Sequence, residues 1–187
     1  MSDKHLSTQF DTDLTSISTK VLQMGGLVEA QIARAMRALA NFDTALCDQV
    51  MAVELEVNAL EIEIDGDCNN IIARRQPTAR DLRLVMAISK TITNLERVGD
   101  EAEKIAKRTK RIMQDPSAHA LHYAGVERSG EMAATILRHA LDAFARLDTA
   151  AAVSILQEDK AIDEEFRGFM RELITYMMEN PRTISVA

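Results

Sequence analysis

Apolar residues recur along the chain at helical spacing and divide it into five long segments. In the second segment an apolar residue returns every seven positions, with further apolar residues on either side of it: Val50, Val57, Ile64 and Ile71, flanked by Cys47, Val53, Leu60 and Cys68. The third segment alternates spacings of three and four: Val85, Ile88, Ile92, Leu95, Gly99, Ala102 and Ala106. Stripes of this kind indicate helices that bury one face in a bundle.

Polar breaks and turn residues set the predicted helix ends. The five helices are expected to run from about Asp13 to Ala40, Thr44 to Arg75, Pro77 to Arg111, Tyr123 to Arg146 and Asp148 to Glu179. Asp43 is suited to cap the second helix, and Pro77 suits the first turn of the third. Asn180-Pro181 is expected to open a sixth helix.

An internal repeat at an offset of about 105 residues sets the predicted architecture. The turn at residues 41–45 matches the turn at residues 146–150, and Glu54 and Asn58 match Asp159 and Asp163. The predicted fold class is therefore all-α, with two tandem three-helix bundles. Residues 1–114 form the first bundle, and residues 121–187 form a second bundle whose sixth helix is absent. We expect a truncated C-terminus and an apolar face on the fifth helix that needs cover: Ile155, Ile162, Phe166, Phe169 and Leu173.

Composition supports the helical prediction and narrows the function. Seven Gly and three Pro are too few for a turn-rich β or α/β fold. A net charge of −7 argues against binding of nucleic acid or anionic lipid. No segment has the apolar length of a membrane span, so no direct membrane insertion is expected, and a cytoplasmic protein is the default. Cys47 and Cys68 share one predicted helix about 31 Å apart, too far for a disulfide.

Carboxylates on the third helix are the strongest candidates for chemistry. Glu96 and Asp100 stand four residues apart beside the apolar stripe, with Gly99 between them. The second helix carries an acidic ribbon that includes Glu54. Carboxylates without imidazole or thiolate favour Mg, Ca, Mn or iron. The helix interior disfavours Gly99 by about 1 kcal/mol against Ala, which is consistent with close approach of another helix or an ion.

The repeat-related acids extend this candidate site to the second bundle. Asp159 falls between apolar positions of the fifth helix, and Asp163 follows it by one turn. The alternative is a solvated acidic face, because the same spacing occurs at Glu63/Asp67 and at Glu127/Glu131.

Other functional classes find little support in the sequence. The four histidines, His5, His119, His122 and His139, form no Glu-x-x-His pair. There is no glycine-rich phosphate loop. A basic cluster around the Pro77 turn is open to two interpretations, helix-end charge with pairs to Asp81 or a docking patch for an acidic partner: Arg74, Arg75, Arg80 and Arg83.

Several motifs stand out along the chain: Arg74-Arg75-Gln76-Pro77, Asp81-Leu82-Arg83, Ser89-Lys90, the run Leu95-Glu96-Arg97-Val98-Gly99-Asp100-Glu101-Ala102-Glu103-Lys104-Ile105-Ala106, and Leu173 to Pro181. Together they resemble the PhoU family of bacterial phosphate-signalling regulators. The resemblance covers essentially the whole chain.

The resemblance implies a cytoplasmic, non-enzymatic adaptor that commonly forms a homodimer. It would couple the phosphate-specific ABC transporter ATPase to a sensor histidine kinase and repress the phosphate-starvation response when phosphate is ample, contributing to phosphate homeostasis. It also implies metal ions, often iron, at acid-x-x-x-Asp motifs. Glu96/Asp100 and Asp159/Asp163 match this motif, whereas Glu54 is followed by Asn58 in place of the second acid. Two alternatives stay open: a metal-dependent enzyme that uses the carboxylate ribbons, and a metal-free helical scaffold.

Overall fold

Five helices make up the fold in the computed structural model, which describes residues 2–115, 123–181 and 184, with side chains from Thr8 onward. They are α1 (Ser2–Asn41), α2 (Thr44–Arg75), α3 (Ala79–Ile112), α4 (Ala124–Arg146) and α5 (Thr149–Glu179). The described ranges contain no strand, so the prediction of an all-α helical bundle is confirmed. None of the helices described is both long enough and apolar enough to cross a membrane.

The helix ends follow the predicted turns, with two differences. α1 begins well before Asp13, because Phe10 and Leu14 extend its apolar face and pack against the core. α3 begins at Ala79 rather than at Pro77. Pro77 disfavours a helical conformation at the residue before it, and Gln76 ends α2 in the left-handed region. The sixth helix expected from Pro181 falls mostly outside the described residues.

The two turns of the internal repeat have the same structure. Asp43 and Asp148 each cap a helix, accepting hydrogen bonds from the backbone N–H groups of the second and third residues that follow. The residues before them, Phe42 and Leu147, both have a φ of 50°. The repeat is therefore real at the level of local conformation.

The core lies where α1, α2 and α3 pack against one another. Every residue of the stripe predicted on α3, from Val85 to Ala106, is buried. The stripe of α2 that repeats every seven residues, Val50, Val57, Ile64 and Ile71, is also buried. This packing brings Gln31 of α1, Glu54 of α2 and Gly99 of α3 to one level of the bundle, which holds the candidate site.

The remaining two helices are α4 and α5. α4 packs against both α1 and α5. α5 has no buried residue, and several of its large apolar side chains are exposed: Val153, Leu156, Phe166, Ile174 and Met178. Of the residues predicted to form an apolar face that needs cover, Phe166 is exposed, whereas Ile155, Ile162, Phe169 and Leu173 are half-buried. The need of this face for cover by a partner stays a prediction. The assignment of residues 1–114 and 121–187 to two bundles stays a prediction.

Candidate metal site

The candidate site begins with the register of Glu54 on α2. The residue lies between Val50 and Val57 of the buried stripe, and its side chain is only 3% exposed. The spacing of acids on α2 predicts Glu54 on an acidic ribbon beside the stripe, but in the structure the residue lies inside the core. Burying a carboxylate is costly unless it is neutralised or coordinated, so this position requires compensation.

Two carboxylates of α3 approach Glu54. Glu96 and Asp100 are partly buried, and they lie one helical turn apart on the same face. One oxygen of each of the three side chains lies within 4.8 Å of the others. The predicted convergence of Glu54, Glu96 and Asp100 is therefore present in the fold.

A glutamine of α1 completes the buried part of the site. Gln31 is fully buried, and its Nε2 donates to Oε2 of Glu54 at 2.8 Å and to the carbonyl oxygen of Val50 at 3.3 Å. Two buried oxygens, Oε1 of Gln31 and Oε1 of Glu54, have no hydrogen-bond partner among the described residues. Unpartnered buried polar atoms are rare in folded proteins, and these two belong to side chains that are hydrogen-bonded to each other through Nε2 and Oε2.

Gly99 allows α3 to approach these groups. A β-carbon at this position would stand 2.8 Å from Oε2 of Glu54 and 3.0 Å from Oε1 of Gln31. Contacts this short would force the side chains to move. Glycine has an unfavourable helix propensity, but it fits at this position of α3 because oxygens of Glu54 and Gln31 occupy the space that a side chain would fill.

The electrostatics of the site disfavour three ionised carboxylates. Burial raises the pKa of Glu54, and the charges of Asp100, Glu103 and Glu96 raise it further, while the hydrogen bond from Gln31 opposes the shift. Burial and then Asp100 likewise raise the pKa of Glu96. Within the described ranges no lysine or arginine forms an ion pair with Glu54 or Glu96.

The lysines nearest to the site form their shortest ion pairs with other acidic residues of α3. Lys104 lies 2.8 Å from Glu101 and 4.0 Å from Asp100, and Lys107 lies 2.6 Å from Glu103. A hard cation is the group that would remove the repulsion among the three carboxylates. Oxygen donors without nitrogen or sulfur suit Mg²⁺, Ca²⁺, Mn²⁺ or iron, so the donor set fits the predicted class of metal.

The corresponding acids of the second repeat have a different environment. Asp159 and Asp163 are both exposed on α5, and Asp163 lies 3.6 Å from Arg167 one turn further on. They do not join the cluster on α2 and α3. Asn58, which replaces an acid of the motif, is half-buried on α2. A second metal site at Asp159 and Asp163 stays a prediction.

Gln31 is the residue that sequence reasoning missed. A signal for it exists, because α1 carries its own stripe at spacings of three and four, in which Gln31 is the polar member: Val21, Met24, Val28, Gln31, Ala35 and Ala38. All six are buried. A polar side chain at a core position needs a polar partner, and here that partner is Glu54.

One arginine of the basic cluster near Pro77 forms an ion pair between two helices, with Asp13 and not with Asp81. Arg75, in the last turn of α2, lies 3.0 Å from Asp13 of α1. This pair joins the two helices at one end of the bundle. It thus serves the packing of the helices on which the site is built.

Comparison with known proteins shows relatives along the whole chain. The family model described as PhoU domain matches residues 21–109 and 126–186. The chain is 52% identical to a phosphate-specific transport system accessory protein PhoU homolog of Burkholderia sp, over 99% of this chain and 79% of that protein. It is 47% identical to the phosphate-specific transport system accessory protein PhoU of Escherichia coli K12, over 97% of this chain and 75% of that protein.

Solved structures give the same result. The crystal structure of PhoU from Pseudomonas aeruginosa matches with a TM-score of 0.90 and 43% identity, covering 95% of this chain and 84% of that one. The phosphate transport system regulatory protein PhoU from Streptococcus pneumoniae matches with a TM-score of 0.83 and 27% identity, covering 91% of this chain and 80% of that one. By sequence and by fold, the chain belongs to the PhoU family.

Proposed function

We propose that this protein is a negative regulator of the phosphate-starvation response, acting as an adaptor between the phosphate-specific ABC transporter and a sensor histidine kinase. The observation that carries the proposal is the likeness to PhoU accessory proteins, which extends over 97% of the chain at 47% identity for the Escherichia coli relative. That relative is named for its role in the phosphate-specific transport system. A regulator of this kind would act in the cytoplasm, where the ATPase of the transporter and the kinase domain are accessible.

The proposal assigns no catalysis to the chain. His139 is the one histidine whose side chain the structure describes, and its Nδ1 lies 2.9 Å from Glu158 on the surface. This pair joins α4 to α5, whereas the carboxylate cluster lies on α2 and α3. Among the described side chains no imidazole joins the cluster, and the proposal therefore gives the carboxylates a binding role.

We further propose that Glu54, Glu96 and Asp100 bind iron or another hard divalent or trivalent cation. The support is the convergence of three carboxylate oxygens without an ion pair to Glu54 or Glu96, together with the unpartnered Oε1 of Glu54. When bound, the cation would supply charge neutralisation and hold α2 against α3. The regulatory role would then depend on metal supply, because the bound cation would stabilise the packing of α2 against α3.

A homodimer is part of the same proposal. Exposed apolar residues along α5, such as Leu156 at 69% and Phe166 at 53%, offer surface that association would cover. Sedimentation equilibrium of the purified chain measures the association directly. A strictly monomeric chain across the concentrations of the binding experiments would remove this part of the proposal.

A cellular assay tests the regulatory role. The chain is expressed in a bacterium that lacks its own PhoU and carries a reporter for the phosphate-starvation response. In phosphate-rich medium the reporter is expected to be repressed, and in phosphate-poor medium it is expected to be active. A reporter that stays active in rich medium, despite confirmed expression of folded protein, contradicts the proposal.

A binding assay tests the adaptor role separately. The immobilised chain is exposed to the purified transporter ATPase and to the cytoplasmic part of the kinase, with and without Mn²⁺ and inorganic phosphate. Binding of both partners supports an adaptor, whereas binding of neither contradicts it. A matched negative control is an unrelated acidic helical protein of similar charge.

A further inference from the structure

We infer that Gln31 of α1 is a working part of the carboxylate site: its Nε2 orients Glu54, and its Oε1 is a fourth, uncharged oxygen ligand for the cation. The inference rests on the proposed cation site and adds a third helix to it. α2 and α3 supply the carboxylates, and α1 supplies the amide.

The hydrogen bonds of Gln31 fix the direction of its amide group. Nε2 donates at 2.8 Å to Oε2 of Glu54 and at 3.3 Å to the carbonyl oxygen of Val50. The opposite orientation would place the amide oxygen against the Val50 carbonyl, which is an acceptor only. The nitrogen therefore faces α2, and both of its hydrogens are used.

The same orientation leaves Oε1 of Gln31 close to Gly99 of α3. This oxygen lies 3.0 Å from the point where a β-carbon on Gly99 would stand, and Oε2 of Glu54 lies 2.8 Å from that point. Gly99 is adjacent in sequence to Asp100 and is three residues from Glu96 on the same helix. The amide oxygen is thus held against the turn of α3 that carries Glu96 and Asp100.

Burial makes an unpartnered oxygen at this position costly for the metal-free protein. The Gln31 side chain is fully buried, and Oε1 accepts no hydrogen bond from any described residue. Oε1 of Glu54 is in the same condition. Two such atoms on a hydrogen-bonded pair of side chains are explained together if both bind one ligand with positive charge.

The chemistry of an amide oxygen suits this role. Side-chain amide oxygens of Asn and Gln are ordinary ligands of hard cations. Gln31 raises the number of protein oxygens without adding a fourth negative charge to a site that already concentrates three carboxylates. Its Nε2 bond to Glu54 acts in the manner of the outer-shell groups that hold metal-binding side chains in position.

The first experiment measures Mn²⁺ affinity of the full chain by calorimetric titration. Gln31→Met keeps the length of the side chain and removes both polar atoms. We expect it to weaken Mn²⁺ binding about tenfold to a hundredfold, the range found when groups that position metal ligands are removed. Affinity within twofold of the native protein would overturn the inference.

A matched control removes a buried polar atom elsewhere in the bundle. Thr109 on α3 is 1% exposed, and its hydroxyl bonds only to the Ile105 carbonyl of its own helix. Ten residues along a helix place it about 15 Å from Gly99. Thr109→Val is expected to leave Mn²⁺ affinity unchanged. An equal loss in this variant would assign the effect of Gln31→Met to general destabilisation and overturn the inference.

A spectroscopic measurement separates a direct ligand from a merely structural amide. Glutamine labelled with ¹³C at the side-chain carbonyl gives one resonance that is absent in Gln31→Met and is thereby assigned. Addition of Ca²⁺, a diamagnetic probe, is expected to shift this resonance. If instead the Gln31 carbonyl stays unmoved while Ca²⁺ binds, the assignment of Oε1 as a ligand is wrong.

The failure of this inference is distinguishable from failure of the site itself. If the native chain binds neither Mn²⁺ nor Ca²⁺, the proposed site and the inference both fall. If binding requires Glu96 and Asp100 but survives Gln31→Met, the site stands and the inference alone falls. Should Gln31→Met not fold, Gln31→Asn retracts the amide by one methylene and is expected to give the same loss of affinity.

Discussion

Oε2 of Glu54 on α2 lies 2.8 Å from the point that a β-carbon on Gly99 of α3 would occupy. A carboxylate in the core thus fills the space of a missing side chain on the neighbouring helix. The relationship explains why an unfavourable helix residue stands in the middle of a long helix. It also makes Gly99 a direct probe of the site, because any larger residue must displace the Glu54 carboxylate or Gln31.

Gly99→Ala is predicted to disrupt the cation site. The new methyl group would push aside the Glu54 carboxylate, so the rise in melting temperature on addition of Mn²⁺ should be lost or strongly reduced. The control is Gly66→Ala on α2, where a β-carbon meets nothing within 4 Å. That variant should keep the Mn²⁺ response and gain about 0.5–1 kcal/mol from better helix propensity. An unaltered Mn²⁺ response in Gly99→Ala would contradict the prediction.

The double substitution Glu96→Gln, Asp100→Asn is predicted to abolish metal binding while keeping side-chain shape. With metal in hundredfold excess over the dissociation constant, the native protein should gain about 2.7 kcal/mol in its free energy of unfolding, and the variant should gain none. Elemental analysis of the purified proteins and melting curves measure both effects. In a protein that binds no metal, the same change should leave stability unchanged or slightly higher, because like charges are removed.

A control for that variant has the same spacing on another helix. Glu127 and Glu131 stand four residues apart on α4, where no third carboxylate joins them in the described structure. Glu127→Gln, Glu131→Gln should leave metal content unchanged. Equal loss of metal in the two double variants would show that net charge, and not the cluster, holds the ion.

The metal-free protein is predicted to show a pH dependence that originates at Glu54. Burial raises the pKa of this carboxyl, so the folded state holds its proton more tightly than the unfolded chain does. Its contribution to the free energy of unfolding is full below the ordinary glutamate pKa of about 4.3 and is lost as pH rises through the raised value. The advantage of Glu54→Gln over the native protein should therefore grow with pH. Urea unfolding with a chelator present measures it.

Glu101 is a glutamate whose pKa is shifted in the opposite direction. The hydrogen bond from Lys104 lowers the pKa of Glu101 on the surface of α3. Its contribution to stability is therefore present above the ordinary glutamate pKa and is lost as pH falls through the lowered value. The free energy of unfolding of Glu101→Gln should therefore not increase relative to that of the native protein as pH rises. A matching pH trend in the two variants would show that the effect does not come from burial of Glu54.

The parts of the fold that could be predicted from sequence are those with a local cause. The stripe from Val85 to Ala106 identified the buried face of α3, because helical period alone selects that face. The caps at Asp43 and Asp148 were visible as matching turns of an internal repeat. Spacing also placed Glu96 and Asp100 together, since residues four apart on a helix are neighbours whatever the tertiary structure.

The parts that could not be predicted depend on how helices meet. The role of Gln31 requires knowing that α1, α2 and α3 align Gln31, Glu54 and Gly99 at one level. Neither helix period nor composition fixes that register between helices. For the same reason the sequence predicted Glu54 on an acidic ribbon, whereas packing of α1 and α3 against α2 encloses it.

The contact between α1 and α4 gives a final prediction, because two adjacent glycines of α1 differ in it. A β-carbon on Gly25 would stand 2.3 Å from Cδ2 of Leu141 on α4, whereas one on Gly26 would meet nothing within 4 Å. Gly25→Ala should overpack the contact at a cost of about 1–3 kcal/mol and speed amide hydrogen exchange in α4. Gly26→Ala should leave exchange in α4 unchanged and stabilise α1 by about 0.5–1 kcal/mol. Both variants keep the carboxylates, so Mn²⁺ affinity should be unaltered in each. Equal exchange rates in α4 for the two variants would show that Leu141 does not seat against Gly25 in solution.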